Sequence, residues 1–219
     1  MQKKSKLLTV LDIRRFPQDL GRLVCLPLVL LFRMKRLTPE GEKYKGKIRG
    51  GAILAANHSS FTDPFVLGVA VWYRRLFFLA AEVVMKGRLR KLLLKGVGAI
   101  EIDRYGTDIE AVRKSVKVLK RGHLLSVFPQ GGIAGSDEIG RLKSGVILFA
   151  LQAGVPIIPM YSVPRKRWYE RRVVVIGQSF DPKEFLGKKF PSTADIDRAA
   201  NQLAEEMNRC IRSNEYGNT

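Results

Sequence analysis

The sequence predicts an α/β fold, a mixed and mostly buried sheet flanked by helices, preceded by an N-terminal interfacial helical segment. Three observations lead there. From Gly50 onward, short apolar runs alternate with stretches whose apolar residues recur every three or four positions, as strands interleaved with amphipathic helices should. The 219 residues, 46% of them hydrophobic, supply the side chains for one buried core of ordinary domain size. Before Gly50 the pattern is different, an apolar run bracketed by cations. Residues 1–47 are therefore read as a basic, apolar helical segment and residues 48–219 as the α/β domain. Collagen-like, low-complexity and wholly disordered classes are excluded, because apolar residues are too many and too evenly spread.

The N-terminal segment comes first. Lys3, Lys4, Lys6, Arg14, Arg15 and Arg22 precede the run Leu23–Phe32, and Arg33, Lys35 and Arg36 follow it. Ten residues of helix span roughly 15 Å, about half a hydrocarbon core, and Pro27 interrupts them. A transmembrane crossing is too long for this run, and no small-residue cleavage site follows it to mark a signal peptide. A core helix, a partner-binding helix and a monotopic anchor remain. The cations favour the anchor, since each Lys or Arg near anionic lipid contributes about 1 kcal/mol. The expected location is the cytoplasmic side of the cell membrane, monotopic or peripheral. The two cysteines, Cys25 and Cys210, fit neither a disulfide framework nor metal-ligand spacing, which suits a reducing compartment.

The elements of the domain follow in order. Ala52–Ala56 and Leu76–Ala81 are apolar runs readable as buried strands. Met85 to Gly96 reads as a basic amphipathic helix, apolar at Leu89, Leu92 and Leu93 and charged at Lys86, Arg88, Arg90, Lys91 and Lys95. Ala99–Asp103 alternates as a strand. Thr107 and Glu110 offer a capping box, after which Ile109, Val112, Val116 and Leu119 mark a helical face ending at Gly122. Leu124–Phe128 reads as a strand, Ser144–Ala153 as a helix, and Pro156–Tyr161 and Val173–Ile176 as two further strands. Ser192 and Asp195 form a second capping box, and Ile196, Ala199, Leu203, Met207 and Ile211 then define a last helix packed on the core.

Chemistry concentrates in loops that follow strands, where α/β proteins place their sites. His58 lies in Ala56-Asn-His-Ser-Ser-Phe-Thr-Asp-Pro64, just past the first strand, and Asp63 follows it by five residues. If the chain wraps one turn, the carboxylate meets one ring nitrogen and raises the basicity of the other, as a general base for an alcohol requires. The same Asn, Ser, Thr and Asp residues would also serve a plain loop that satisfies backbone groups and caps the next helix. Phe128-Pro-Gln-Gly-Gly-Ile133 follows another strand, with glycines that let backbone approach a ligand. Gly98–Arg104 ends in an arginine at a strand terminus, and Val155-Pro-Ile-Ile-Pro159 completes the set. His123, in an apolar strand, reads as structural. No Gly-x-Ser-x-Gly elbow is present, neither cysteine sits in a nucleophile context, and His58 with Asp63 makes a poor metal-ligand set.

These four blocks, in this order, resemble the PlsC-type glycerolipid acyltransferases, which include the 1-acylglycerol-3-phosphate acyltransferases. Asn57–Asp63 is similar to the family's N-H-x4-D block, Ile100–Arg104 to the second, Phe128–Gly131 to the third and Val155–Pro159 to the fourth. Leu142-Lys143-Ser144-Gly145 resembles the Phe-Lys-x-Gly stretch between them. The likeness spans roughly residues 48–180. It implies catalysis by His58 and Asp63, and substrate contacts from Asn57, Arg104, Phe128, Pro129, Gln130, Gly131, Gly132, Arg141 and Lys143. It also implies acyl transfer from acyl-CoA or an acyl-carrier protein to a lysophospholipid hydroxyl, with membrane lipids as partners and neither metal nor resident cofactor. Amides of the Gly131-Gly132 loop are candidates to stabilise developing negative charge. Gln130 stands where the family has glutamate, and Gly132-Ile133 where it has Thr-Arg, so a bidentate phosphate contact is missing. Arg104, Arg141 and Lys143 are the residues to compensate, or the acceptor is another lyso-lipid, for example an amino-acid-derived one.

The charge fits either an anionic membrane or phosphorylated substrates. With 39 Lys+Arg against 20 Asp+Glu the net charge is +19, and residues 1–50 alone hold 13 basic and 4 acidic residues. A basic nucleic-acid-binding module is the rival class, but no nucleic-acid motif is present and no nucleic-acid partner is expected. The Lys86–Lys95 cluster and Arg165–Arg172 are either solvated charged faces or surfaces for lipid or donor phosphates.

Overall fold

The computed structural model describes residues 34–60, 62–103, 108–131, 138–164, 167, 170–188 and 190–212. The Leu23–Phe32 run, Arg104, Thr107, Gly132, Ile133, Trp168 and Tyr169 lie outside them. Seven strands form one sheet: β1 (Lys35–Leu37), β2 (Ala52–Ala56), β3 (Leu76–Ala81), β4 (Ala99–Ile102), β5 (Leu124–Val127), β6 (Ile157–Ser162) and β7 (Val173–Ile176). Their order is β1-β7-β6-β2-β5-β3-β4. The five strands from β6 to β4 run parallel, and β7 is antiparallel to β6. β1 pairs in parallel with β7, Lys35 opposite Val173, so the sheet takes in part of the stretch assigned above to residues 1–47.

Parallel neighbours need crossovers, and helices supply them. α1 (Asp63–Ala70) links β2 to β3, α2 (Arg88–Gly96) links β3 to β4, α3 (Ile109–Lys120) links β4 to β5, and α4 (Gly145–Ala153) precedes β6. The short α5 (Pro182–Leu186) and long α6 (Thr193–Arg212) follow β7. Every residue of β2 is buried, as the centre of a sheet covered on both faces must be. Alternation divides its side chains. Ile53 and Ala55 join Leu119, Ile147, Leu203 and Met207 under α3, α4 and α6. Leu54 and Ala56 pack with Val66 and Leu67 of α1 on the other face.

Arg74, just beyond α1, donates to the carbonyls of Ile48 (2.5 Å), Gly50 (2.6 Å) and Gly122. It thereby fastens the approaches to β2 and β5 at the edge opposite their carboxyl ends.

The helix ends confirm one capping box and replace the other. The side chain of Asp108 accepts from the amide of Ala111 (2.8 Å) and opens α3, so the cap is Asp108 and not Thr107. At α6 the exchange is reciprocal: Ser192 Oγ accepts from Asp195 N–H (3.2 Å), and Asp195 Oδ2 accepts from Ser192 N–H (3.0 Å). That Ser192 amide, then Lys188 at 2.9 Å and the Ser192 hydroxyl, hold the Asp195 carboxyl far below the usual carboxylate range. A lowered folded pKa contributes stability above the unfolded value and loses it as pH falls through the folded value. Asp195→Asn should therefore lower the Tm most near neutral pH, and the gap to the parent should close below about pH 4, where the unfolded carboxyl protonates. Thermal unfolding across pH 2–7 measures this, and a gap independent of pH would contradict it.

Candidate active site

β2 carries the chain to the carboxyl edge of the sheet, where it breaks into Asn57-His58-Ser59-Ser60 before α1 begins. Pro64 falls in the first turn of α1, where its missing N–H costs nothing. Asp63 opens the same helix, but its carboxylate turns back into the loop. Oδ2 accepts from Ser59 N–H (2.7 Å), Ser60 N–H (2.8 Å) and His58 Nδ1 (3.1 Å). Thr62, at the N-cap, makes no side-chain cap bond. Of the two roles a plain loop would give these residues, Asp63 takes one, accepting from backbone amides, and the other, a side-chain cap on α1, is not made.

Asp63 is 1% exposed and the His58 side chain 11%. Two backbone amides hydrogen-bond to the buried carboxylate, and the carboxylate in turn fixes the imidazole. With Nδ1–H donated to Asp63, Nε2 is left as a basic nitrogen. A second constraint comes from the neighbouring strand: Phe128, at the end of β5, stacks on the His58 ring with centroids 4.3 Å apart and planes 22° apart. Carboxylate and aromatic face together leave the ring one orientation.

Asn57 is buried and spans the gap to β6. Its Nδ2 donates to Ser162 O (3.1 Å), and its Oδ1 accepts from Ser162 N–H (2.8 Å). Asn57 thus replaces a β-ladder bond where β2 and β6 part, and reads as a scaffold for the His58 loop. Ser162 was not visible as a partner in the sequence, because only the strand order brings its backbone beside Asn57.

The third block closes the site. Pro129 is buried, Gln130 half-buried, and Pro129 O accepts from Lys143 N–H (2.9 Å). Gly131 adopts φ +78°, a conformation that favours glycine, and Lys143 lies across it with Cε 2.6 Å from where a Cβ would stand. The Gly131 amide donates to Phe128 O (3.1 Å) within the turn. That amide is therefore engaged, and Gly132, the other candidate donor of the loop, lies outside the described residues. Arg141 points elsewhere: its side chain is 85% exposed and lies 3.9 Å from Asp197 on α6. The structure brings together Asn57, His58, Asp63, Phe128, Pro129, Gly131 and Lys143, and leaves Arg141 outside that group.

Other reactive groups sit apart. His123 precedes β5, at the opposite edge of the sheet, against Phe77 with ring centroids 5.5 Å apart. Burial pushes the Cys210 thiol up to about 12, which suits a core residue and not a nucleophile.

Known proteins resemble this chain in sequence and in fold. A 1-acyl-sn-glycerol-3-phosphate acyltransferase of Bacillus subtilis is 26% identical over 165 residues, covering 72% of this chain and 81% of the relative. One of Streptococcus pneumoniae is 29% identical over 161 residues, covering 72% and 59%. The fold matches the crystal structure of PlsC, the 1-acyl-sn-glycerophosphate (LPA) acyltransferase of Thermotoga maritima, with a TM-score of 0.60 at 19% identity, across 93% of this chain and 86% of that one. Residues 36–163, more than half of the chain and the part that holds both His58 and Asp63, match the Acyltransferase family, and the protein belongs to it.

Proposed function

We propose that the protein transfers a fatty acyl group at a membrane surface, from an acyl thioester (acyl-CoA or acyl-carrier protein) to the hydroxyl of 1-acyl-glycerol-3-phosphate, giving phosphatidate. The observation that carries this reading is the His58–Asp63 pair, a basic imidazole nitrogen held at the exposed carboxyl edge of the sheet. His58 Nε2 takes the acceptor's proton as its oxygen attacks the thioester carbonyl. The tetrahedral intermediate then expels the thiolate, which recovers the proton from the imidazolium. Asp63 stabilises that imidazolium and holds the ring; it needs no proton of its own. Lys143, lying across Gly131, supplies a cation beside the acceptor's phosphate, with Arg104 as the second.

Gln130 supports a second reading, in which the acceptor is an amino-acid-derived lyso-lipid whose headgroup calls for an amide rather than a carboxylate. One experiment separates the two. The purified full chain is assayed with radiolabelled acyl-CoA and acyl-carrier protein against 1-acyl-glycerol-3-phosphate, other lysophospholipids and an amino-acid-derived lyso-lipid. Phosphatidate formation with the highest kcat/KM is the expected result. Preference for the amino-acid-derived acceptor would move the assignment to the second reading, and no transfer to any of them would overturn both.

A further inference from the structure

α2 is amphipathic in the wrong direction for a packed helix. Leu89, Leu92 and Leu93 are 70%, 70% and 61% exposed, and no residue of the helix is buried. Leu94 alone turns inward, onto the small cluster of Ala80, Met85 and Ala99. Val83 and Val97 add exposed apolar surface before and after the helix. An apolar stripe of this size on a soluble surface marks an interaction site.

Charge says what kind. Lys86, Arg88, Arg90 and Lys95 are exposed beside the leucines, while Lys91 folds back to Glu101 at 2.8 Å. Between Glu82 and Val97 the sole acid is Glu82 itself. The surface is a convex ridge with long cationic stems on its flanks, the form of a helix lying in an anionic lipid interface, where leucines enter the acyl boundary and cations reach the phosphates. Position agrees. α2 leaves β3 at the carboxyl edge of the sheet, the edge that bears His58. Phe65 and Ile109, in the first turns of α1 and α3 at that edge, are 60% and 74% exposed.

We propose that α2 is a membrane-contacting element carried by the catalytic domain itself, separate from the N-terminal segment, with Leu89, Leu92 and Leu93 seated in an anionic leaflet. The inference rests on the reading of the protein as an enzyme of the membrane surface and names the part of the domain that meets the lipid.

The test uses the full chain carrying Cys25→Ser and Leu92→Cys, labelled at residue 92 with an environment-sensitive fluorophore. Vesicles of phosphatidylcholine with phosphatidylglycerol should raise its emission about threefold and shift it to the blue, as burial in the interface requires. Unchanged emission while the chain sediments with the vesicles would overturn the proposal. So would a response to an acidic acyl-carrier protein alone, without vesicles, in place of a response to lipid. In parallel, Leu89→Ser/Leu92→Ser/Leu93→Ser should weaken vesicle partitioning by about tenfold, while turnover of detergent-dispersed acceptor stays within about twofold, since these side chains lie outside the site. Undiminished partitioning would also overturn it. Failure of the enzymatic reading is distinct: the unaltered chain would then turn over no dispersed acceptor, whatever the label reports.

Discussion

His58→Ala should lower kcat for acyl transfer by about 10²–10⁴-fold while leaving the fold intact. The size follows from what is removed. Among the described residues His58 is the base held at the carboxyl edge of the sheet between a buried carboxylate and an aromatic face, and water is a poor substitute for it. Little stability should be lost, because the imidazole contributes one hydrogen bond and one ring contact at the surface of the site. Steady-state kinetics with dispersed acceptor, beside circular dichroism and thermal unfolding, checks both halves. Transfer at the parental rate by the variant would remove His58 from the mechanism.

Asp63 should show a different signature, because it serves the chain as well as the chemistry. In Asp63→Ala the amides of Ser59 and Ser60 lose their common acceptor in a half-buried loop, a cost of about 2 kcal/mol, the low end for two orphaned groups at about 1–3 kcal/mol each because water reaches them. The rate should fall as far as in His58→Ala, since nothing then fixes the ring or balances its charge. Asp63→Asn separates the two roles. Its amide oxygen still accepts from the loop, so most of the stability should return, yet a neutral group cannot stabilise an imidazolium and kcat should remain about 10²-fold or more below the parent. Chemical denaturation and kcat measured on the same three proteins decide the matter. If asparagine restored full activity, the carboxylate would be a loop fastener and no more.

Much of this was legible in the residues. Ala52–Ala56 and Val173–Ile176 are strands over the spans their apolar runs suggested, and the Ser192–Asp195 box caps the last helix as its spacing requires. Local signals of this kind survive because they depend on neighbours in sequence. What escaped depends on neighbours in space. β1 is Lys-Arg-Leu, three residues without an apolar run, and becomes a strand only because β7 offers it an edge. The bond from Asn57 to Ser162 crosses 105 positions. The stacking of His58 on Phe128 joins two blocks that the sequence could place in order but not in contact. For α2 the period was correct and the direction stayed open, since a 3.6-residue repeat states that a stripe exists and is silent on whether protein or lipid covers it.

The Arg74 clamp gives the molecule a spine. One guanidinium joins carbonyls from two segments, at Ile48 and Gly50 before β2 and at Gly122 before β5, at the end of the sheet opposite His58. Because β2 and β5 run in register from that end to Ala55 and Val127, the one guanidinium also sets where His58 and Phe128 emerge, so the stacking of those two rings depends on a residue at the far end of both strands.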